Sequence, residues 1–131
     1  MIAAVRFPAL ALAVALVTAC APMITVQPAR LDTASGAAAP EAIVVRDALD
    51  FRLPTGYSRT LPAASRWRRV GRLAQGEVYR PVDFVFSIEG RQVHEAYLVV
   101  AERRLVGFYL PGESTFSPLV ATLPLALGDL P

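Results

Sequence analysis

A chain of 131 residues has room for one folded domain and not for two. Its 13 basic residues are all arginine and face 11 acids for a net charge of +2, too even a balance to predict a nucleic-acid partner. One histidine and one cysteine leave only carboxylates to complete a metal site, so neither a metal nor another cofactor is expected.

The chain opens with "MIAAVR", carrying a terminal amine and Arg6, and continues into the charge-free run "FPALALAVALVTA". Spanning a bilayer takes about 20 apolar residues, and this run is shorter. A positive start, an apolar stretch and small residues at its end predict a secretory signal peptide over residues 1–19. Loss of that segment removes Arg6 and leaves the rest of the chain near neutrality.

Val17-Thr18-Ala19-Cys20 closes the apolar run and holds the only cysteine. These four residues resemble the bacterial lipobox, in which a branched apolar residue, a small residue and Gly or Ala precede an obligatory Cys. The resemblance implies that Cys20 receives diacylglycerol on its sulfur. Cleavage before it then frees an α-amine for a further acyl chain. One acyl chain holds a protein only marginally, whereas two or more hold it stably. An unpaired thiol in an exported protein otherwise lacks a role. By the same resemblance, Ala21 in place of Asp implies the outer membrane, periplasm-facing.

From Ala21 to Pro40 the sequence "APMITVQPARLDTASGAAAP" is rich in small residues and proline and has no apolar period. With Cys20 it predicts a flexible tether over residues 20–40. As a coil, such a tether averages roughly 25 Å and stretches to about 65 Å. The displaced Gly of "LDTASG" separates it from the Asp-Thr-Gly of aspartic proteases, and no catalytic residue is assigned there.

Residues 41–131 alternate short apolar runs with turn residues, predicting a small β-rich domain. In "IVVRDALDFRL" Ile43, Val45, Leu49, Phe51 and Leu53 share one side, and Asp47 interrupts it, so two strands with a kink are expected. "RWRRVGRLAQGEVYR" predicts a hairpin with a three-residue loop ending at Gly76. That register sets Leu73 opposite Glu77, Gly71 opposite Tyr79 and Arg72 opposite Val78. Next comes "DFVFSIEGRQVHEAYLVVAERRLVGFYLP", read as three strands. Gly90 suits a type II′ turn, and Glu102-Arg103 suits a longer loop than two residues.

Pairing across those turns predicts one face of Phe84, Phe86, Ile88, Val93, Tyr97, Val99, Val106, Phe108 and Leu110. The other face, with Val85, Ala96, Leu98, Val100, Leu105 and Tyr109, is also apolar. A sheet apolar on both faces needs cover on both. The expected fold is mainly β, a small antiparallel sheet curled into a barrel-like or two-layer sandwich domain. The tail "PLVATLPLALGDL" reads as a covering strand or a short helix. Trp67 to Leu119, with "GEVY", "EAYLVV" and "LVGFYLP", is similar to small uncharacterised proteobacterial lipoproteins, which contribute no catalytic or binding residues.

The candidate anion-binding residues are Arg66, Arg68, Arg72 and Arg80. Strand alternation gathers the first three on one side of their strand, and the hairpin register adds Arg80 and sends Glu77 away. Four arginines without a local acid suit phosphate or carboxylate, and otherwise form a solvated face. His94 reads as a hydrogen-bonded strand residue, since one histidine cannot build a metal site. Glu95 is expected near Phe86 and Leu110, paired with an arginine at the sheet end. The function expected is a non-catalytic binding or assembly module of the cell envelope, held to the membrane and engaging an envelope protein or anionic component. A spacing or stabilising lipoprotein is the alternative, and an envelope hydrolase a distant one.

Overall fold

The computed structural model describes residues 22–34 and 39–128. The strands are β1 (Gln27–Pro28), β2 (Ala42–Val45), β3 (Leu49–Arg52), β4 (Ser58–Leu61), β5 (Ser65–Leu73) and β6 (Gly76–Pro81). They continue with β7 (Ser87–Glu89), β8 (Val93–Glu95), β9 (Tyr97–Ala101), β10 (Arg104–Leu110), β11 (Thr115–Pro124) and β12 (Leu127–Gly128). The fold is mainly β and antiparallel, sandwich-like and not closed into a barrel.

Eight strands form the main sheet in the order β1-β11-β10-β9-β6-β5-β2-β12, while β3–β4 and β7–β8 are separate hairpins. Both hairpins fold over one face of that sheet. There Phe51, Leu53 and Leu61 meet Phe86 and Ile88 over Trp67, Leu98, Leu105, Phe108 and Leu110. Phe108 stacks between Phe51 at 5.6 Å and Phe86 at 5.9 Å, and Trp67 meets Phe86 edge-on at 5.8 Å. Such aromatic contacts add to the area they bury. The Trp67 indole N–H, which would otherwise be a buried orphan, donates to Ser65 Oγ at 2.9 Å.

A second cluster lies on the other face: Leu73, Val78, Val99, Tyr109 and Phe116, covered by Ala29 and Leu31. Apolar strands therefore do receive cover on both sides. The alternation of Ile43, Val45, Leu49, Phe51 and Leu53 holds, and all five reach the main core. The interruption at Asp47 separates β2 from β3, so one apolar side serves two sheets.

Two bulges change the expected register. One lies between Arg69 and Gly71 and shifts the pairing beyond it to Arg69 with Tyr79, while on the turn side of it Arg72 pairs with Glu77 and Gly71 with Val78. The hairpin loop is the two residues Ala74-Gln75, with Leu73 opposite Gly76. The second lies between Leu105 and Gly107. It turns Leu105 to the same side as Phe108 and Leu110, and sends Val106 with Tyr97 and Val99 to the second cluster. Tyr97 thus lies 6.3 Å from Tyr109 on the face opposite Phe86 and Phe108, and Val93 is exposed, so the expected nine-residue face is divided. An extra residue in one strand reverses the facing of everything beyond it.

The turns differ too. Ala101 pairs with Arg104 around Glu102-Arg103, both at positive φ (52° and 60°), a two-residue turn of type I′ character and not a longer loop. Flanking pairs such as Leu105 with Val100 hold the geometry that these residues disfavour. Gly90 is not at positive φ, as a type II′ turn would require; the loop Gly90–Gln92 joins β7 to β8. Over its described residues, 118–128, the C-terminal tail is extended, not helical. Arg104 Nε donates to Thr122 Oγ1 at 2.8 Å across the register break that leaves Val120 exposed on β11.

The segment read as a free tether is docked over residues 22–34. Ile24 packs against the main core, and β1 pairs with β11 at Gln27–Phe116 and Pro28–Thr115. Asp32 and Arg72 exchange backbone hydrogen bonds at 2.9 and 2.8 Å. Two glycines make room. A Cβ on Gly71 would meet Leu31 Cδ1 at 2.8 Å, and one on Gly90 would meet Ile24 Cγ1 at 2.9 Å and the Pro22 carbonyl at 3.0 Å. The docking depends on residues remote in sequence, so local composition does not reveal it.

Candidate functional site

The basic hairpin β5–β6 divides into two halves. In the half near the turn, Glu77 lies between two arginines. Arg69 Nε donates to its Oε2 at 2.6 Å, and Arg72 Nε donates to Oε1 at 2.8 Å. The side chains of Arg69 and Glu77 are 7% and 15% exposed, so this pair is largely enclosed, while Arg72 closes it from the solvent side. Burial pushes the Glu77 carboxyl up, but the hydrogen bonds and charges of both arginines outweigh it and hold it below its ordinary value. Arg72 is therefore neutralised: the two-residue turn sets Glu77 directly opposite it, and the bulge at Val70 turns Arg69 to the same side.

Beyond the bulge, Arg66, Arg68 and Arg80 stay together. Arg68 is the direct cross-strand partner of Arg80, and Arg66 stands two residues along on the same side of β5. All three are exposed, while Ser65 and Trp67, the alternate residues on β5, are buried. None of the three forms an ion pair among the described residues, and neither does Asp83. Like charges directly opposite on a sheet are unfavourable, and an anion bridging them relieves that repulsion.

The same row of the sheet continues into tyrosines. Extending the β6–β9 register by one residue sets Arg80 beside Tyr97, which pairs with Tyr109, itself paired with Phe116. Burial, then the charge of Glu95, pushes the Tyr97 phenol above its ordinary range against the opposing pull of Arg80. Glu95 is exposed on β8 and not buried near Phe86.

His94 is hydrogen-bonded, its Nδ1 lying 2.7 Å from Glu113 Oε1. The pair borders a cleft of about 360 Å³ lined also by Met23, Ile24, Arg91, Leu110 and Thr115. The buried Thr115 Oγ1 has no hydrogen-bond partner. Sequence reasoning missed this cleft, since its walls come from the docked segment and two turns. No group of three or more His, Cys, Asp or Glu side chains is placed to hold a metal among the described residues. Cys20 lies outside the described residues.

These features define a small antiparallel β domain with an open arginine trio on one face. Compared with known proteins, the chain matches no family model, no curated protein and no solved structure.

Proposed function

We propose that this chain is a bacterial envelope lipoprotein, anchored through an acylated Cys20 in the outer membrane and facing the periplasm. Its β domain serves as a non-catalytic module that binds an envelope protein or an anionic envelope component. The observation that carries the reading is Val17-Thr18-Ala19-Cys20 at the end of an apolar run, holding the only cysteine. For the ligand, support comes from Arg66, Arg68 and Arg80, an exposed trio with no ion pair among the described residues.

Mass spectrometry of the N-terminal peptide from native membranes tests the anchor. The expected species begins at Cys20 and carries diacylglycerol. An unmodified thiol or another cleavage site overturns it. Fractionation should place the protein in the outer membrane, and Ala21→Asp should shift it inward.

A further inference from the structure

We infer that the domain is seated directly on the bilayer that anchors it, with Met23–Val26 and the β7–β8 loop in an anionic headgroup layer. This rests on the reading of Cys20 as lipidated and says where that anchor puts the fold. One residue, Ala21, separates Cys20 from Pro22, and the two steps between them span at most about 7 Å. From Pro22 to Ala29 the chain is fixed to the domain: by Gly90 against Pro22 and Ile24, by β1 on β11, and by Ala29 N–H donating to the Ser114 carbonyl at 3.1 Å. The headgroup layer on each side of a bilayer is about 5–8 Å thick. Acyl chains in the hydrocarbon therefore leave Pro22 no room to stand beyond that layer. A tether averaging about 25 Å would have allowed many orientations; one of about 7 Å allows few.

The surface at this end has the composition an interface requires. Met23 and Val93 are 66% and 70% exposed, and Val26 is exposed beside them. Arg91, in the β7–β8 loop, is exposed and forms no ion pair among the described residues. Apolar side chains entering the headgroup boundary, with a guanidinium to meet phosphate, are how surface-seated segments bind.

The open arginines lie toward the same end. Leu110 borders the cleft beside Met23 and Ile24, one residue beyond the row that joins Tyr109 to Tyr97 and, by register, to Arg80 and Arg68. The Arg69–Glu77–Arg72 cluster lies toward the opposite end, with the Glu102-Arg103 turn at the start of β10. Strand rise over the length of β10 puts that turn about 20 Å from Leu110.

The test couples the chain through its only thiol, Cys20, to a maleimide lipid, in vesicles of phosphatidylcholine with or without phosphatidylglycerol. The reference is the same chain capped by a soluble maleimide. Amide hydrogen exchange at Ile24–Val26 and Arg91–His94 should slow at least tenfold on vesicles, most with phosphatidylglycerol, while the Glu102-Arg103 turn is unchanged. Met23→Asp combined with Val93→Asp changes exposed positions only and should cancel the protection without lowering the melting temperature. Unchanged exchange at the seated segments, equal protection at the distant turn, or protection that survives the double variant overturns the seating. Because the coupling supplies the anchor chemically, a negative result leaves lipidation in the cell to the N-terminal mass spectrum.

Discussion

The two halves of the β5–β6 hairpin carry similar sequence and opposite chemistry. Near the turn, Arg69 and Arg72 both grip Glu77, with Arg69 and Glu77 largely closed to water and Arg72 on the solvent side. Toward the other end, Arg68 faces Arg80 with Arg66 alongside, and no acid pairs with any of them among the described residues. The bulge at Val70 separates the two. An arginine count does not distinguish a satisfied structural cluster from an open one; the register does. The turn-proximal half should therefore respond to mutation in stability, and the open half in binding.

Trp67 supports that division, since its burial between Arg66 and Arg68 is what turns both outward. Trp67→Ala should give the largest loss, about 3–5 kcal/mol, comparable to much of the stability of a small domain. Phe108→Ala should lose as much, because Phe108 stacks on Phe51 of β3 and on Phe86, which leads into β7. Urea unfolding measures both. A loss below 1 kcal/mol at either site would reject the packing described.

Glu77→Gln comes next. It removes two charge-assisted hydrogen bonds and leaves Arg69 enclosed without an anion. A loss of about 1.5–3 kcal/mol follows from the value of such bonds. The pH dependence has a definite sign. The folded carboxyl titrates below its ordinary 4.5, so it binds its proton less readily than in the unfolded chain. Its contribution is complete above 4.5 and is lost as pH falls through the lower folded value. Stability curves of the wild type and Glu77→Gln should thus converge in acid below 4.5 and lie parallel above it. Curves parallel throughout would contradict the shift.

How far these halves were legible in the sequence depends on the range of the interaction. Period-two alternation put Trp67 inward and Arg66 and Arg68 outward, because facing depends only on neighbours along the strand. The same logic joined Ile43 to Leu53 across the kink. It failed where one residue is inserted. The bulges at Val70 and Val106 are set by pairing partners, and each reversed the facing beyond it, putting Arg69 on the same side as Arg72 and moving Tyr97 away from Phe108. The docked segment was illegible for a related reason: its low-complexity residues are received by Gly71 and Gly90, far along the chain. His94 and Glu113 come from β8 and the turn after β10, and no local pattern announces their meeting.

The smallest expected effect on stability separates the halves most sharply. Arg68→Glu puts an acid directly opposite Arg80 and replaces a repulsive cross-strand pair with an attractive one. Exposed opposite-charge pairs on a sheet contribute about 0.2–1 kcal/mol, so the variant should be slightly more stable than the wild type. If the open half binds an anion, the same substitution should weaken binding of the unlipidated chain to phosphatidylglycerol vesicles, and added salt should weaken the wild type toward that level. Function and stability then move in opposite directions at one residue, which a merely structural arginine does not allow. Arg72→Glu in the other half should show the reverse, a loss of stability from placing two acids together with little loss of vesicle binding. Vesicle binding unchanged by Arg68→Glu would show Arg66, Arg68 and Arg80 to be a solvated face.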